Sequence, residues 1–125
     1  AVLIDAPCSG MGTLRRDPMK KYRTTPRLIE KLSEIQYRIL KHYSQFLRKG
    51  GVLVYATCSI MPRENEIVVE RFLAEHSEFA PSPIAEGFSK HRIPLPDLKD
   101  RFYYTFYPHI HNTDGFFIAR MTRKM

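Results

Sequence analysis

The hydrophobic pattern begins with a run. Ala1, Val2, Leu3 and Ile4 lead straight into Asp5-Ala6-Pro7-Cys8-Ser9-Gly10-Met11-Gly12-Thr13. A short apolar run closed by a polar, glycine-bearing turn predicts a buried parallel strand followed by a loop. The same pattern returns at Val52-Leu53-Val54-Tyr55-Ala56, which leads into Thr57-Cys58-Ser59. In open α/β sheets, ligands sit beyond the carboxyl ends of such strands. The two loops therefore mark the expected site. Gly10 and Gly12 permit a tight turn and a close approach of backbone to ligand.

Between the runs the period changes to three and four. Thr25-Pro26 reads as an N-cap with proline at the first helical position. Leu28, Leu32, Ile35, Ile39, Tyr43 and Phe46 then form an apolar stripe, widened by Ile29, Leu40 and Leu47, up to Gly50-Gly51. This predicts an amphipathic helix packed on a sheet, with His42 at its surface. Pro62 opens a second helix, with Glu64 and Glu66 in its first turn and Ile67, Val68, Phe72 and Leu73 on its apolar face, ending near His76. Strand, helix, strand, helix is a parallel α/β unit with right-handed crossovers.

The remaining segments are less periodic. Leu14 to Thr24 is basic and reads as a loop; its place directly after the first ligand loop favours phosphate contact over plain solvation. Phe79 to Asp100 carries Pro81, Pro83, Pro94 and Pro96, which argue against a long helix, and Ser89-Lys90-His91-Arg92 adds positive charge. Phe102 to Tyr107 predicts a strand, Asn112-Thr113-Asp114-Gly115 a turn, and Phe116 to Met121 a final strand pairing with the one before it as a hairpin. Asp114-Gly115 is read simply as that hairpin's turn. In a strand, His109 and His111 would share a face. A metal site would need further ligands, and with no third partner in the sequence no metal is expected.

Charge adds a partner class. Twenty Lys and Arg stand against 13 Asp and Glu, a formal +7, which favours an acidic partner such as nucleic acid. The 125 residues make at most one domain. No apolar run reaches membrane-span length, so no membrane partner is expected. Two cysteines are too few for a disulfide framework, and reduced thiols in a cytoplasmic setting, or a nucleolar one in a eukaryote, are expected. The chain opens inside a strand without an initiator Met, and a piece of a longer chain is expected.

Asp5-Ala6-Pro7-Cys8-Ser9-Gly10-Met11-Gly12 with Arg15-Arg16 and Pro18, Gly50-Gly51 with Tyr55 and Thr57-Cys58-Ser59, Glu64-Asn65-Glu66, and Thr113-Asp114-Gly115-Phe116-Phe117 form an ordered set. Together they resemble the Fmu/Sun (NOL–NOP–Sun) RNA cytosine-5 methyltransferases over nearly the whole chain. The resemblance implies the C-terminal portion of a Rossmann-like class I methyltransferase sheet: parallel strands with crossover helices, then an antiparallel hairpin. It implies S-adenosylmethionine as cofactor and ribosomal or transfer RNA as partner. The family's glycine-rich cofactor loop and a base-facing lysine are expected in a preceding half-domain. Residues 1–125 would then be the C-terminal half of the catalytic domain, inactive alone.

The chemistry needs a thiol. Carbon 5 of cytosine is too weak a nucleophile to take a methyl group directly. A thiolate adding to carbon 6 makes carbon 5 enamine-like, and loss of the carbon 5 proton then expels the cysteine. Cys8 and Cys58 are both candidates. The resemblance implies Cys58 as nucleophile, Cys8 as the thiol that helps resolve the adduct, and Asp5 on the base edge or the cofactor's amino acid, with Pro7 beside the cofactor. Arg15, Arg16, Lys20, Lys21 and Arg23 would contact RNA phosphates. The target base must leave its stack. Two other classes stand beside this one. A non-catalytic RNA-binding fragment or degenerate paralogue would need neither thiol, and a thiol-redox protein would be expected to carry Cys-x-x-Cys spacing. Taken alone, the cysteines could be ordinary buried residues, Asp5 a loop cap, and Glu64, Asn65 and Glu66 helix-start residues that position the Cys58 loop.

Overall fold

A computed structural model describes residues 1–90 and 98–125. His91, Arg92, Pro94 and Pro96 lie outside the described residues. The chain runs β1 (Val2–Asp5), α1 (Lys20–Arg23), α2 (Pro26–Ser44), β2 (Val52–Thr57), α3 (Glu66–Glu75), β3 (Phe79–Pro81), α4 (Ala85–Lys90), β4 (Tyr103–Phe106), α5 (Pro108–His111) and β5 (Phe116–Arg123). β1 and β2 pair in parallel, with Asp5 opposite Ala56. β5 lies antiparallel on the other side of β2. Its far edge is shared: Phe116–Ala119 pair with β4, and Met121–Arg123 pair with β3. The expected parallel unit and antiparallel hairpin are both present.

The helices start where their residues dictate. Thr25 Oγ1 accepts the Leu28 amide at 3.1 Å, and Pro26 occupies the first turn of α2, where no intrahelical amide is needed. The core forms where α2 and α3 meet the sheet: Leu40, Leu53, Tyr55, Val69, Phe72, Phe117, Ala119 and Met121 are fully buried. Burying a side chain such as Leu40 or Phe72 contributes about 1.5–3 kcal/mol.

Several expectations are corrected. The face that α2 buries is Ile29, Gln36, Tyr37, Leu40 and Ser44, continued by Leu47 after the helix; Leu28, Tyr43 and Phe46 are exposed. Apolar residues cover more than one face of this helix, so the spacing predicts the helix but not its rotation. The helix ends at Ser44, and Gly50, at φ +77°, turns the chain into β2. The basic segment is not all loop, because Lys20–Arg23 form α1. Residues 62–75 are split into a 3-10 turn (Pro62–Glu64) and α3, with a break at Asn65. His109 and His111 sit in the one-turn α5, since Pro108 cannot donate to a ladder and instead starts a helix. His111 accepts from the Tyr107 amide at 3.0 Å and meets the Tyr104 hydroxyl at 2.9 Å. The weakly patterned stretch holds β3 and α4, both too short for periodicity to reveal.

Candidate active site

β1 and β2 are adjacent, parallel and in register, so the loops after them leave the same end of the sheet side by side. Ala6 N donates to Ala56 O at 2.9 Å, one residue past the last pair, and Gly12 N donates to Cys58 O at 2.9 Å. These bonds fix the loops to each other. Cys8 and Cys58, 50 residues apart in sequence, bring their sulfurs to 3.0 Å. Both residues are half-buried.

Each cysteine is followed by a serine, and one carboxylate holds both. Glu64 is fully buried. Its Oε1 accepts the Ser9 amide at 2.7 Å and the Gln36 Nε2 at 3.1 Å. Its Oε2 accepts the Ser9 hydroxyl at 2.7 Å and the Ser59 hydroxyl. Gln36 also donates to Pro7 O at 2.8 Å, tying α2 to the first loop. Four donors on one buried carboxylate offset much of its desolvation cost.

The second loop is gripped from below as well. Thr57 Oγ1 donates to Asn65 Oδ1 at 2.6 Å, and Asn65 Nδ2 donates to Ser59 O at 2.8 Å. Tyr55 OH donates to Glu64 O at 2.7 Å. The break at Asn65 thus places Glu64 and Asn65 under the Cys58 loop. Glu64 and Asn65 position the Cys58 loop as expected, and Glu64 in addition links it to the Cys8 loop, which the sequence did not show. Sequence reasoning also missed Gln36. The available signals were the repeated Cys-Ser pair, which calls for a shared acceptor, and a glutamine among the apolar positions of α2.

Burial pushes the Cys8 thiol up to about 12, helped by its hydrogen bond to Cys58 and by the charge there, and opposed by backbone hydrogen bonds from the loop. Cys8 therefore keeps its proton at neutral pH.

Asp5 ends β1 with its side chain exposed, and Pro7 is exposed two residues later. An exposed carboxylate at this strand end suits an ammonium group or an amino edge of a ligand. The basic residues line the adjoining rim. Lys20 Nζ folds back to Thr13 Oγ1 at 2.8 Å, close over Gly10. Arg16 pairs with Asp114 at 2.7 Å, and Arg15 donates to Asn112 Oδ1 at 3.2 Å. Arg23 pairs with Asp17 at 3.2 Å, and Lys21 lies 5.3 Å from the Tyr22 ring centre. The turn at Asp114-Gly115 is more than a hairpin connection: Gly115 N donates to Gly12 O at 2.6 Å, so it packs against the first cysteine loop.

Comparison with known proteins gives the family. A probable ribosomal RNA small subunit methyltransferase B of Bacillus subtilis is 40% identical over 123 residues, 98% of this chain and 27% of that protein. A Synechocystis protein of the same description is 38% identical over 121 residues, 97% of this chain and 26% of its own length. The chain thus spans about a quarter of the length of these relatives. The crystal structure of PH0851 superposes with a TM-score of 0.83 at 33% identity, covering 98% of this chain and 26% of that one. That of NSun6 from Pyrococcus horikoshii with SFG gives 0.77 at 31% identity, covering 98% and 29%. The fold is therefore a fragment of a Rossmann-like methyltransferase. The family model described as 16S rRNA methyltransferase RsmB/F matches residues 1–122, and the chain belongs to that family.

Proposed function

We propose that this chain is the C-terminal half of a catalytic domain that methylates carbon 5 of cytosine in RNA through a covalent Cys58 adduct. The observation that carries the reading is the 3.0 Å approach of Cys58 and Cys8 at the carboxyl ends of adjacent parallel strands. A binding module has no need of such a pair, so this also weighs against a purely RNA-binding fragment or degenerate paralogue. The relatives named as rRNA methyltransferases support an RNA substrate and, of the ribosomal and transfer RNA expected, favour the ribosomal; a cytoplasmic setting is in keeping with reduced thiols.

In this reading Cys58 adds to carbon 6 of an unstacked cytosine, and Asp5 holds the base's amino edge or the cofactor's ammonium. Cys8 assists departure of the carbon 5 proton. Once Cys58 is bonded to carbon 6 it no longer shares a hydrogen bond with Cys8, so one of the causes holding the Cys8 proton in place disappears. S-adenosylmethionine supplies an electrophilic methyl group on sulfonium, and a neighbour solved with its analogue SFG supports its use here. Asp5 and Pro7, exposed at the strand end, fit one side of such a cofactor. Residues 1–125 alone are expected to bind it weakly and to be inactive, because the glycine-rich loop would come from the preceding half. Lys20, Lys21, Arg15, Arg16 and Arg23 would hold RNA phosphates along the rim.

The test is adduct trapping in a full-length protein carrying this segment, with labelled RNA and cofactor on denaturing gels. Cys58→Ala should give no covalent RNA complex, and Cys8→Ala a persistent one. The opposite pattern would move the nucleophile to the Pro-Cys loop.

A further inference from the structure

Cys8 and Cys58 have a second chemistry open to them. Two sulfurs at 3.0 Å need close by only about 1 Å to form a disulfide. The half-buried pair is open to an oxidant as small as hydrogen peroxide. The loops that carry them are cross-tied by the Gly12–Cys58 backbone bond and by the shared acceptor Glu64, so the sulfurs stay face to face. A thiol poised beside a resolving thiol is the arrangement that gives a reversible disulfide rather than over-oxidation.

We propose that the Cys8–Cys58 pair is an oxidative modification site, converted by peroxide into an intramolecular disulfide that reversibly blocks the nucleophile. Cys8 holds its proton and so reacts second. Cys58 sulfur attacks one peroxide oxygen, the O–O bond breaks, and Cys58 becomes a sulfenic acid with release of one water. Cys8 sulfur then displaces the sulfenic oxygen; the S–S bond forms, the S–O bond breaks, and a second water carries off the Cys8 proton. Two thiols lose two electrons, and one peroxide gains them. Glutathione or thioredoxin-class dithiols reverse the step.

That the disulfide silences an enzyme rests on the methyltransferase reading, whereas its formation does not. The test therefore uses a full-length protein carrying this segment, with neither RNA nor cofactor. Hydrogen peroxide is added, free thiols are alkylated, and non-reduced peptides are mapped by mass spectrometry. The expected product is a linked Cys8–Cys58 peptide pair, lighter by two hydrogens and abolished by dithiothreitol. In Cys58→Ala, loss of the free Cys8 thiol should be at least about tenfold slower, because the protonated partner has lost the sulfur it resolves. In Cys8→Ala, Cys58 should proceed to sulfinic acid, which dithiothreitol does not reverse. Cysteines that stay alkylatable, that link between molecules, or that reach sulfinic acid in the unmutated protein would overturn the proposal. None of these outcomes touches adduct trapping, so the two readings fail separately.

Discussion

Gly12 and Gly115 lie back to back, joined by the Gly115 N to Gly12 O hydrogen bond at 2.6 Å, with the Cys58 carbonyl on the Gly12 amide at 2.9 Å. A Cβ on Gly12 would enter the Gly115 carbonyl and lie 2.7 Å from the Cys58 carbonyl. All of these neighbours are backbone, which cannot rotate aside. The first cysteine loop, the second and the turn before β5 are therefore held in contact through one glycine.

Gly12→Ala should accordingly cost about 2–4 kcal/mol of stability, read from the urea midpoint. Gly87→Ala is the matched control. A Cβ there meets nothing within 4 Å, and in α4 it should be neutral or stabilise by up to about 1 kcal/mol. Equal effects at the two sites would mean that the close approach at Gly12 does not constrain the loops.

Glu64 makes a second prediction. Glu64→Ala removes the acceptor for Ser9, Ser59 and Gln36 and leaves buried donors unpaired, a loss of about 3 kcal/mol. Glu64→Gln keeps the shape but places an amide N–H against donating groups, so it should be rescued only in part. Urea unfolding measures both. A near-neutral Glu64→Ala would show that the loops are held by their backbone bonds alone.

Legibility from sequence followed the scale of each signal. The apolar runs at Val2–Ile4 and Val52–Ala56 predict strands without tertiary information, but the burial expected of the first is not found: β1 is an edge strand of the sheet and its Leu3 is 72% exposed. The pairing of the two cysteine loops followed, since parallel neighbours release their loops on one side. The rotation of α2 did not follow: Leu28 and Ile29 are both apolar, and only tertiary packing decides that Ile29 is buried and Leu28 exposed. Glu64 positions the Cys58 loop as expected, but its burial and its hold on the Cys8 loop were not legible. An acid two residues after a proline reads as a helix start, and its burial depends on the break at Asn65, which no local pattern announces. Similarly, the one turn of α5 after the expected strand, Pro108–His111, is too short for periodicity to reveal.

The basic rim should bind RNA unevenly. Arg16 and Arg23 are paired with Asp114 and Asp17, whereas Lys21 lies by the exposed Tyr22 ring. Neutralising Arg15, Arg16, Lys20, Lys21 and Arg23 together should weaken binding across RNA sequences and flatten its salt dependence, by released counterions. Lys21→Ala should account for more of that change than Arg23→Ala. Lys20→Ala should also loosen the Gly10–Thr13 turn, because its ammonium holds Thr13. Filter binding over a salt series checks this, and an unchanged slope in the fivefold variant would make the rim an ordinary solvated surface.

The Cys8 thiol gives the last prediction. Its rise from 9.0 to about 12 comes first from burial, then from the Cys58 hydrogen bond and charge. Only the thiolate is alkylated, so iodoacetamide should modify Cys8 slowly at pH 9, where a free thiol is half ionised. In Cys58→Ala the partner's two contributions vanish while burial remains. The midpoint of the alkylation rate should then fall below 12 and stay above 9.0. The same shift acts on folding. Between 9.0 and about 12 the folded protein keeps a proton that the unfolded chain has released, so it binds more protons, and stability must decline as pH rises. The contribution is complete below 9.0 and is lost as pH passes through the folded value. Urea midpoints taken from pH 8 upward should therefore fall more steeply in the unmutated chain than in Cys8→Ala, which has no thiol to ionise. Parallel slopes in the two proteins would place the Cys8 value near that of a free thiol and remove the reason for Cys58 to react first.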